Sequence, residues 1–109
     1  MDFEGLKKKY LPMTETAYYI LLCLIESRHG YGIMQHAEEI TNGRLKLGPG
    51  TIYGTLSKLE KDKLIVSVAE KERRKIYKLN ETGRELLKLE IKRLREMVRN
   101  GNDEMGDQA

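Results

Sequence analysis

The sequence predicts a mainly α-helical chain that carries one β-hairpin and ends in a long helix. Three observations predict this. Apolar residues recur at helical spacing in short blocks between Thr14 and Lys61. The period drops to two between Leu64 and Leu79. From Asn80 to about Arg99 it returns to helical spacing, a run of about 19 residues that would reach roughly 28 Å.

Each element has its own signals. Thr14 followed by Glu15 is a threonine N-cap with an acid in the first turn. The helix behind it carries Ala17, Leu21, Leu24 and Arg28 at helical spacing, and Tyr18, Ile20, Leu22 and Ile25 make its other faces apolar too. A helix apolar nearly all round is buried on several sides, and in so short a chain this predicts that Leu21 and Leu24 meet a second subunit. His29-Gly30 ends it. The next helix runs from Tyr31 to about Ile40 on an Ile33, Ala37, Ile40 stripe and stops at Asn42-Gly43. A third starts at Gly48-Pro49-Gly50-Thr51, with proline in the first turn where its missing N–H costs nothing. Ile52, Leu56 and Leu59 form its apolar stripe.

After Lys61-Asp62-Lys63, Leu64, Val66 and Val68 alternate with Ile65, Ser67 and Ala69, and Lys75, Tyr77 and Leu79 alternate with Arg74, Ile76 and Lys78. The link Glu70-Lys71-Glu72-Arg73 makes the two runs a hairpin, and without Asn-Gly or Asp-Gly its turn type stays open. Asn80 then caps the long helix. Leu87, Ile91, Leu94 and Val98 form a heptad-like seam on it. A rod that long outreaches a core of three short helices, so its free half predicts a homodimer.

Composition narrows the function classes. At 109 residues and 39% hydrophobic, the chain holds one compact core and excludes a two-lobed enzyme. The only cysteine, Cys23, excludes an internal disulfide framework and suits a reduced, cytoplasmic protein. The longest apolar run, Ala17 to Ile25, is too short for a membrane span, which needs about 20 residues, and the N-terminus offers no signal peptide. The net charge of +3 hides an asymmetry: residues 100–109 carry Asp103, Glu104 and Asp107 and no base, which leaves 20 basic against 14 acidic residues, +6, over 1–99. The reading is therefore a basic N-terminal arm at 1–12, a helix-turn-helix with a hairpin wing at 13–80, a C-terminal dimerisation helix at 81–99 and an acidic, fraying tail at 100–109.

Helix, helix, helix, hairpin is the order of a winged helix-turn-helix, whose third helix fits a major groove about 12 Å wide. The outward face of that helix is Thr51, Tyr53, Gly54, Thr55, Ser57 and Lys58, with no acid until Glu60. A merely solvated face would alternate Glu and Lys. Thr51, Thr55 and Ser57 can donate to phosphates or base edges, and Lys58 and Lys46 add charge. Tyr53 has two readings: contact with phosphate or base, or packing against the preceding helix with its hydroxyl exposed. The wing concentrates Lys71, Arg73, Arg74 and Lys75 within five positions, suited to the DNA backbone or the adjacent minor groove. The predicted partner is double-stranded DNA with a pseudo-palindromic operator.

Other chemistries find little here. His29 and His36 are joined by no cysteine or third histidine, so no metal is predicted. Gly48-Pro49-Gly50-Thr51 lacks the P-loop lysine, and Gly30-Tyr31-Gly32 lacks the third glycine of a dinucleotide loop, so no cofactor is predicted. No carboxylate pair or nucleophile–base set supports an enzyme. A winged-helix protein-interaction module without DNA specificity is the alternative, and the basic wing weighs against it.

Tyr31-Gly32-Ile33, Leu47-Gly48-Pro49-Gly50-Thr51-Ile52-Tyr53 and Leu56 with Leu59-Glu60 resemble the signature of the PadR family of transcriptional regulators. Arg73-Arg74-Lys75-Ile76-Tyr77-Lys78-Leu79-Asn80 resembles that family's wing motif. The resemblance covers roughly residues 13–98. It implies a short-class, dimeric winged-helix repressor of stress, detoxification or efflux genes, joined through its first and last helices and released by a small-molecule effector. Two positions depart from the pattern: Lys63 and Glu72 stand where the family often has glycine. Some short members sandwich flat aromatic drugs between tryptophans, and this chain has no tryptophan.

Overall fold

The structure is a computed structural model that describes residues 1–106. It contains α1 (Phe3–Tyr10), α2 (Glu15–Cys23), α3 (Gly30–Ile40), α4 (Pro49–Lys61), β1 (Ile65–Lys71), β2 (Arg74–Leu79) and α5 (Glu81–Met105). Helices α2, α3 and α4 with the β1–β2 hairpin form a winged helix-turn-helix, and α5 is the long C-terminal helix.

The helix ends follow local chemistry. Thr14 Oγ1 accepts from the Ala17 N–H at 3.1 Å, and Asn80 Oδ1 accepts from the Gly83 N–H at 2.8 Å. Helix α3 ends in a left-handed Asn42, with the Gly43 N–H donating to Glu38 O and the Asn42 N–H to Glu39 O. Helix α4 ends the same way at left-handed Lys63, with Leu64 N–H to Leu59 O and Lys63 N–H to Glu60 O. Both are Schellman closures, and the second places a lysine where glycine is least strained.

The core is one cluster. Ile20, Leu21 and Leu24 meet Ile33 of α3, Ile52 and Leu56 of α4, Leu64 and Ile65 at the wing root, and Leu86 and Leu87 of α5. The hairpin is antiparallel with Ile65 opposite Leu79 and Lys71 opposite Arg74, and a bulge lies between Ser67 and Ala69. Its root is fastened to the helices: Arg28 and Tyr77 exchange backbone hydrogen bonds at 3.0 and 2.9 Å, and the Leu79 N–H donates to Leu24 O at 2.8 Å. Helix α5 crosses this root closely. A Cβ on Gly83 would fall 2.7 Å from Leu79 Cδ1 and closer still to the Leu64 carbonyl oxygen.

The structure corrects several expectations. Residues 3–10 of the basic arm form a helix, which the sequence reading did not assign. Asp2 caps it by accepting from the Gly5 N–H, and Leu6 and Tyr10, four apart, bury one face of it. Tyr10 Oη donates to Asp62 Oδ2 at 2.5 Å, and Lys9 Nζ lies 2.7 Å from the same oxygen, which ties α1 to the end of α4. Helix α2 stops at Cys23 rather than near Arg28, because the following segment must extend to pair with β2. Helix α5 runs on to Met105 where fraying was expected from Asn100, so it is 25 residues long, about 37 Å. Asp107, the last acid of the expected tail, lies outside the described residues.

The expected dimer seam also changes. Leu21 and Leu24 are 0% exposed and Leu87 is 3% exposed within one chain, so the chain's own core takes them and none is free for a second copy. Helix α2 packs against α3 and α5, and its buried Ile20, Leu21 and Leu24 share one cluster with α4 and the wing root, while Tyr18 and Leu22 stay partly buried and Ile25 exposed. Only Ile91, Leu94 and Val98 of the seam keep open surface.

Near the start of that surface is Glu90, the one buried charged residue among those described. Its Oε2 accepts from the Met13 N–H at 3.0 Å, and Arg93 Nε donates to its Oε1 at 2.7 Å. The Arg93 guanidinium, helped by Met13, holds this carboxyl below the usual carboxylate range against the opposing effect of burial. The pair fastens the α1–α2 junction to α5.

Candidate nucleic-acid interface

Helix α4 enters from a loop whose cap, Gly48, has no side chain to occupy the first-turn N–H groups. That leaves them facing outward, as an anion would require. Burial of Ile52, Leu56 and Leu59 turns Thr51, Tyr53, Gly54, Ser57 and Lys58 to the surface, with Thr55 half-buried beside them. Nothing lies within 4 Å of a Cβ built on Gly50 or Gly54, so this side of the helix is clear for close approach. The first acid, Glu60, is turned to the wing, where Lys75 Nζ lies 3.8 Å from it.

The expected contact residues fall on two flanks of α4. On the wing side, Tyr53 lines one concavity of about 320 Å³ with His29, Gly30, Arg73, Arg74, Lys75 and Tyr77. On the other side, Thr51, Thr55 and Lys58 line a second with Lys9, Tyr10, Thr14 and Thr16. Lys58 Nζ sits 5.2 Å from the centre of the Tyr10 ring. Lys46 and Ser57 are exposed and line neither concavity. At the wing tip, Glu72 and Arg73 form a two-residue loop with φ of 53° and 66°. Two left-handed central residues are what a type I′ turn needs, so the link is tighter than its four polar residues suggested.

Sequence reasoning missed Lys9, Thr14, Thr16 and His29 as parts of this surface. The spacing of Leu6 and Tyr10 behind Asp2 was the signal for α1, and α1 is what carries Lys9 to α4. The sequence presents His29 as a helix stop and, with His36, as a metal-ligand pair without further partners. Its Nδ1 accepts from the Gly32 N–H at 3.1 Å, so it is the N-cap of α3, and its ring stacks near Tyr31. Tyr31 itself is half-exposed on α3, away from the core.

Away from α4, the open part of α5 forms a groove with Tyr18, lined by Ile91, Leu94, Arg95, Val98 and Arg99. Among the described residues no helix is long and apolar enough to cross a membrane.

Comparison with known proteins bears on all of this. The sequence model of the transcriptional regulator PadR-like family matches residues 20–89. An uncharacterised 37.1 kDa protein of transposon TN4556 from Streptomyces fradiae is 38% identical over 79 residues, 71% of this chain and 22% of that protein. The chain thus spans under a quarter of the length of that relative. Among solved structures, a transcriptional regulator from Clostridium thermocellum aligns with a TM-score of 0.70 at 21% identity, over 94% of this chain and 96% of that one. A PadR family transcription regulator from Clostridium difficile aligns with 0.70 at 23% identity, over 84% and 99%. A PadR-like transcription factor from Bacteroides fragilis aligns with 0.65 at 26% identity, over 81% and 86%.

Proposed function

The chain belongs to the PadR-like family of transcriptional regulators, and from that premise we propose that it is a sequence-specific, DNA-binding homodimer that reads a pseudo-palindromic operator. One observation carries the reading: the clear, acid-free face of α4 is bounded on both flanks by cations, Arg73, Arg74 and Lys75 on one side and Lys9 and Lys58 on the other. A helix that enters a major groove needs this arrangement, because the phosphate strands run along both groove edges. Gly54 and Ser57 then face base edges, Thr51 lies on the Lys58 flank, and the flanking cations position the helix.

The dimer forms through the open part of α5, where Ile91, Leu94 and Val98 lie beside Tyr18. Two α4 helices then address half-sites about 34 Å apart, or a multiple of that, on one face of the duplex. The repressor role, the control of stress, detoxification or efflux genes, and release by a small-molecule effector follow from family resemblance. So does residence in the cytoplasm.

The experiment is selection of genomic fragments on the immobilised full chain, followed by titration of the recovered site at several salt concentrations. Each neutralised phosphate contributes a slope of about −0.9 in log K against log salt. Arg74→Ala should therefore shallow the slope by about one and weaken binding to all duplexes alike. Affinity independent of salt, or no retention of any genomic fragment, would overturn the reading.

A further inference from the structure

Gly30 is buried at the first position of α3, directly beneath the ring of Tyr53 on α4. A Cβ built on it would lie 2.8 Å from each of Cε1, Cζ and Oη of Tyr53. The hydroxyl end of the tyrosine thus occupies the space that any side chain at position 30 would fill. All three clashing atoms are the far end of one side chain and none is backbone. An added methyl would therefore move the ring and leave the fold in place.

The position of that ring decides what it can touch. Tyr53 follows Ile52 of the buried stripe, so it leaves α4 about 100° from the core direction, while Gly54 and Lys61 lie near the opposite side. Half-exposed, it lines the wing-side concavity with His29 and the cations Arg73, Arg74 and Lys75. Such a place suits the DNA strand beside the groove more than the base edges within it.

We propose that Tyr53 donates its hydroxyl to a single DNA backbone phosphate in this concavity, and that Gly30 is the positioning residue that holds the ring there. The inference rests on the DNA-binding reading above. It selects backbone contact over base contact for Tyr53, and it gives a glycine with no atom of its own to offer DNA a part in affinity.

The test is a double-mutant cycle on the full chain, titrated against the selected operator and a scrambled duplex of equal length. Tyr53→Phe and Tyr53→Ala should each weaken binding to both duplexes by the same factor, roughly tenfold for one hydrogen bond to a charged group. Gly30→Ala should match that loss with a melting curve no lower than that of the wild type. In the Tyr53→Ala background it should cost nothing further, because no ring remains to displace. Neither change removes charge, so the salt slope should hold, unlike that of Arg74→Ala. Full affinity for Gly30→Ala, an undiminished Gly30→Ala loss on top of Tyr53→Ala, or a loss confined to the operator would each overturn the proposal. A DNA-free readout keeps the test alive if Gly30→Ala folds poorly. The Gly30 Hα resonances should carry a ring-current shift that Tyr53→Ala abolishes, and its absence would refute the contact. A wild-type chain that binds neither duplex would overturn the regulator reading itself, a result distinct from wild-type binding with an inert Gly30→Ala.

Discussion

Replacing Gly83 by alanine should destabilise the protein although alanine is the better helix former. Gly83 is buried in the first turn of α5, where that helix passes over the wing root. The new Cβ would lie 2.7 Å from Leu79 Cδ1 and 3.1 Å from the Leu64 carbonyl carbon. Carbon atoms rest about 3.5–4.0 Å apart, so α5 must retreat by about 1 Å. Side chains absorb part of this, but the Leu64 carbonyl is backbone and also accepts from the Asn80 N–H at 3.1 Å. Overpacking of this kind costs about 1–3 kcal/mol, and one or two strained hydrogen bonds add about 1 kcal/mol each. Helix propensity returns about 1 kcal/mol. The net loss should be about 1–4 kcal/mol, a fall in Tm of roughly 5 °C or more for a domain of this size. Gly101→Ala in the same helix is the control. Nothing lies within 4 Å of its Cβ, so the same substitution should stabilise, by up to about 1 kcal/mol. Urea unfolding of both variants at one protein concentration measures the pair. A Gly83→Ala variant as stable as Gly101→Ala would refute the close approach of α5 to Leu64 and Leu79 at the wing root.

Three further predictions follow from other sites. Leu94→Asp places an unpaired charge on the open apolar strip of α5, so light scattering at micromolar concentration should give a 12.6 kDa monomer with weakened operator binding; an intact dimer would exclude this strip as the interface. Lys63→Gly relieves a left-handed lysine at the α4 closure and should gain about 0.5–1 kcal/mol in urea unfolding, and a loss would contradict the Schellman geometry. The Glu90 carboxyl is held low by Arg93, so its stabilisation is complete above the ordinary glutamate pKa of about 4.3 and is lost as pH falls through the lower folded-state value. Glu90→Gln should lower stability at pH 7 by about 1–3 kcal/mol and flatten that acid limb, and an unchanged acid limb would remove Glu90 from its cause.

The elements visible in the sequence were those whose signals lie within a turn or two of chain. Asn80 announced α5, Asn42-Gly43 closed α3, and the alternation around Tyr77 marked the wing. Contacts between distant segments were less legible. Leu21 and Leu24 were read as surface for a second copy because nothing local reveals that α5 and the wing root converge on α2. The polar stretch from Asn100 carried no apolar stripe, yet α5 continues through it because backbone hydrogen bonds propagate cheaply once a helix is nucleated. At the candidate interface, residue type singled out Tyr53, Lys58 and Arg74. Their division between two flanks, and the entry of Lys9 and His29, depend on how α1 and α3 pack.

The anchoring of the hairpin separates two properties of the wing. Every backbone hydrogen bond that holds it to the helices lies at Leu64, Tyr77 or Leu79, the Lys75–Glu60 ion pair adds a link farther out, and beyond Ile65 all of β1 is exposed. Past that ion pair the tip is held by its own ladder. Residues inserted at Glu72-Arg73 would lengthen the reach over DNA without touching a buried contact, and shortening would retract it as cheaply. The reach of the wing can thus drift under selection at the tip while the core stays fixed, which makes the wing a dial that evolution, or an engineer, can turn independently of stability.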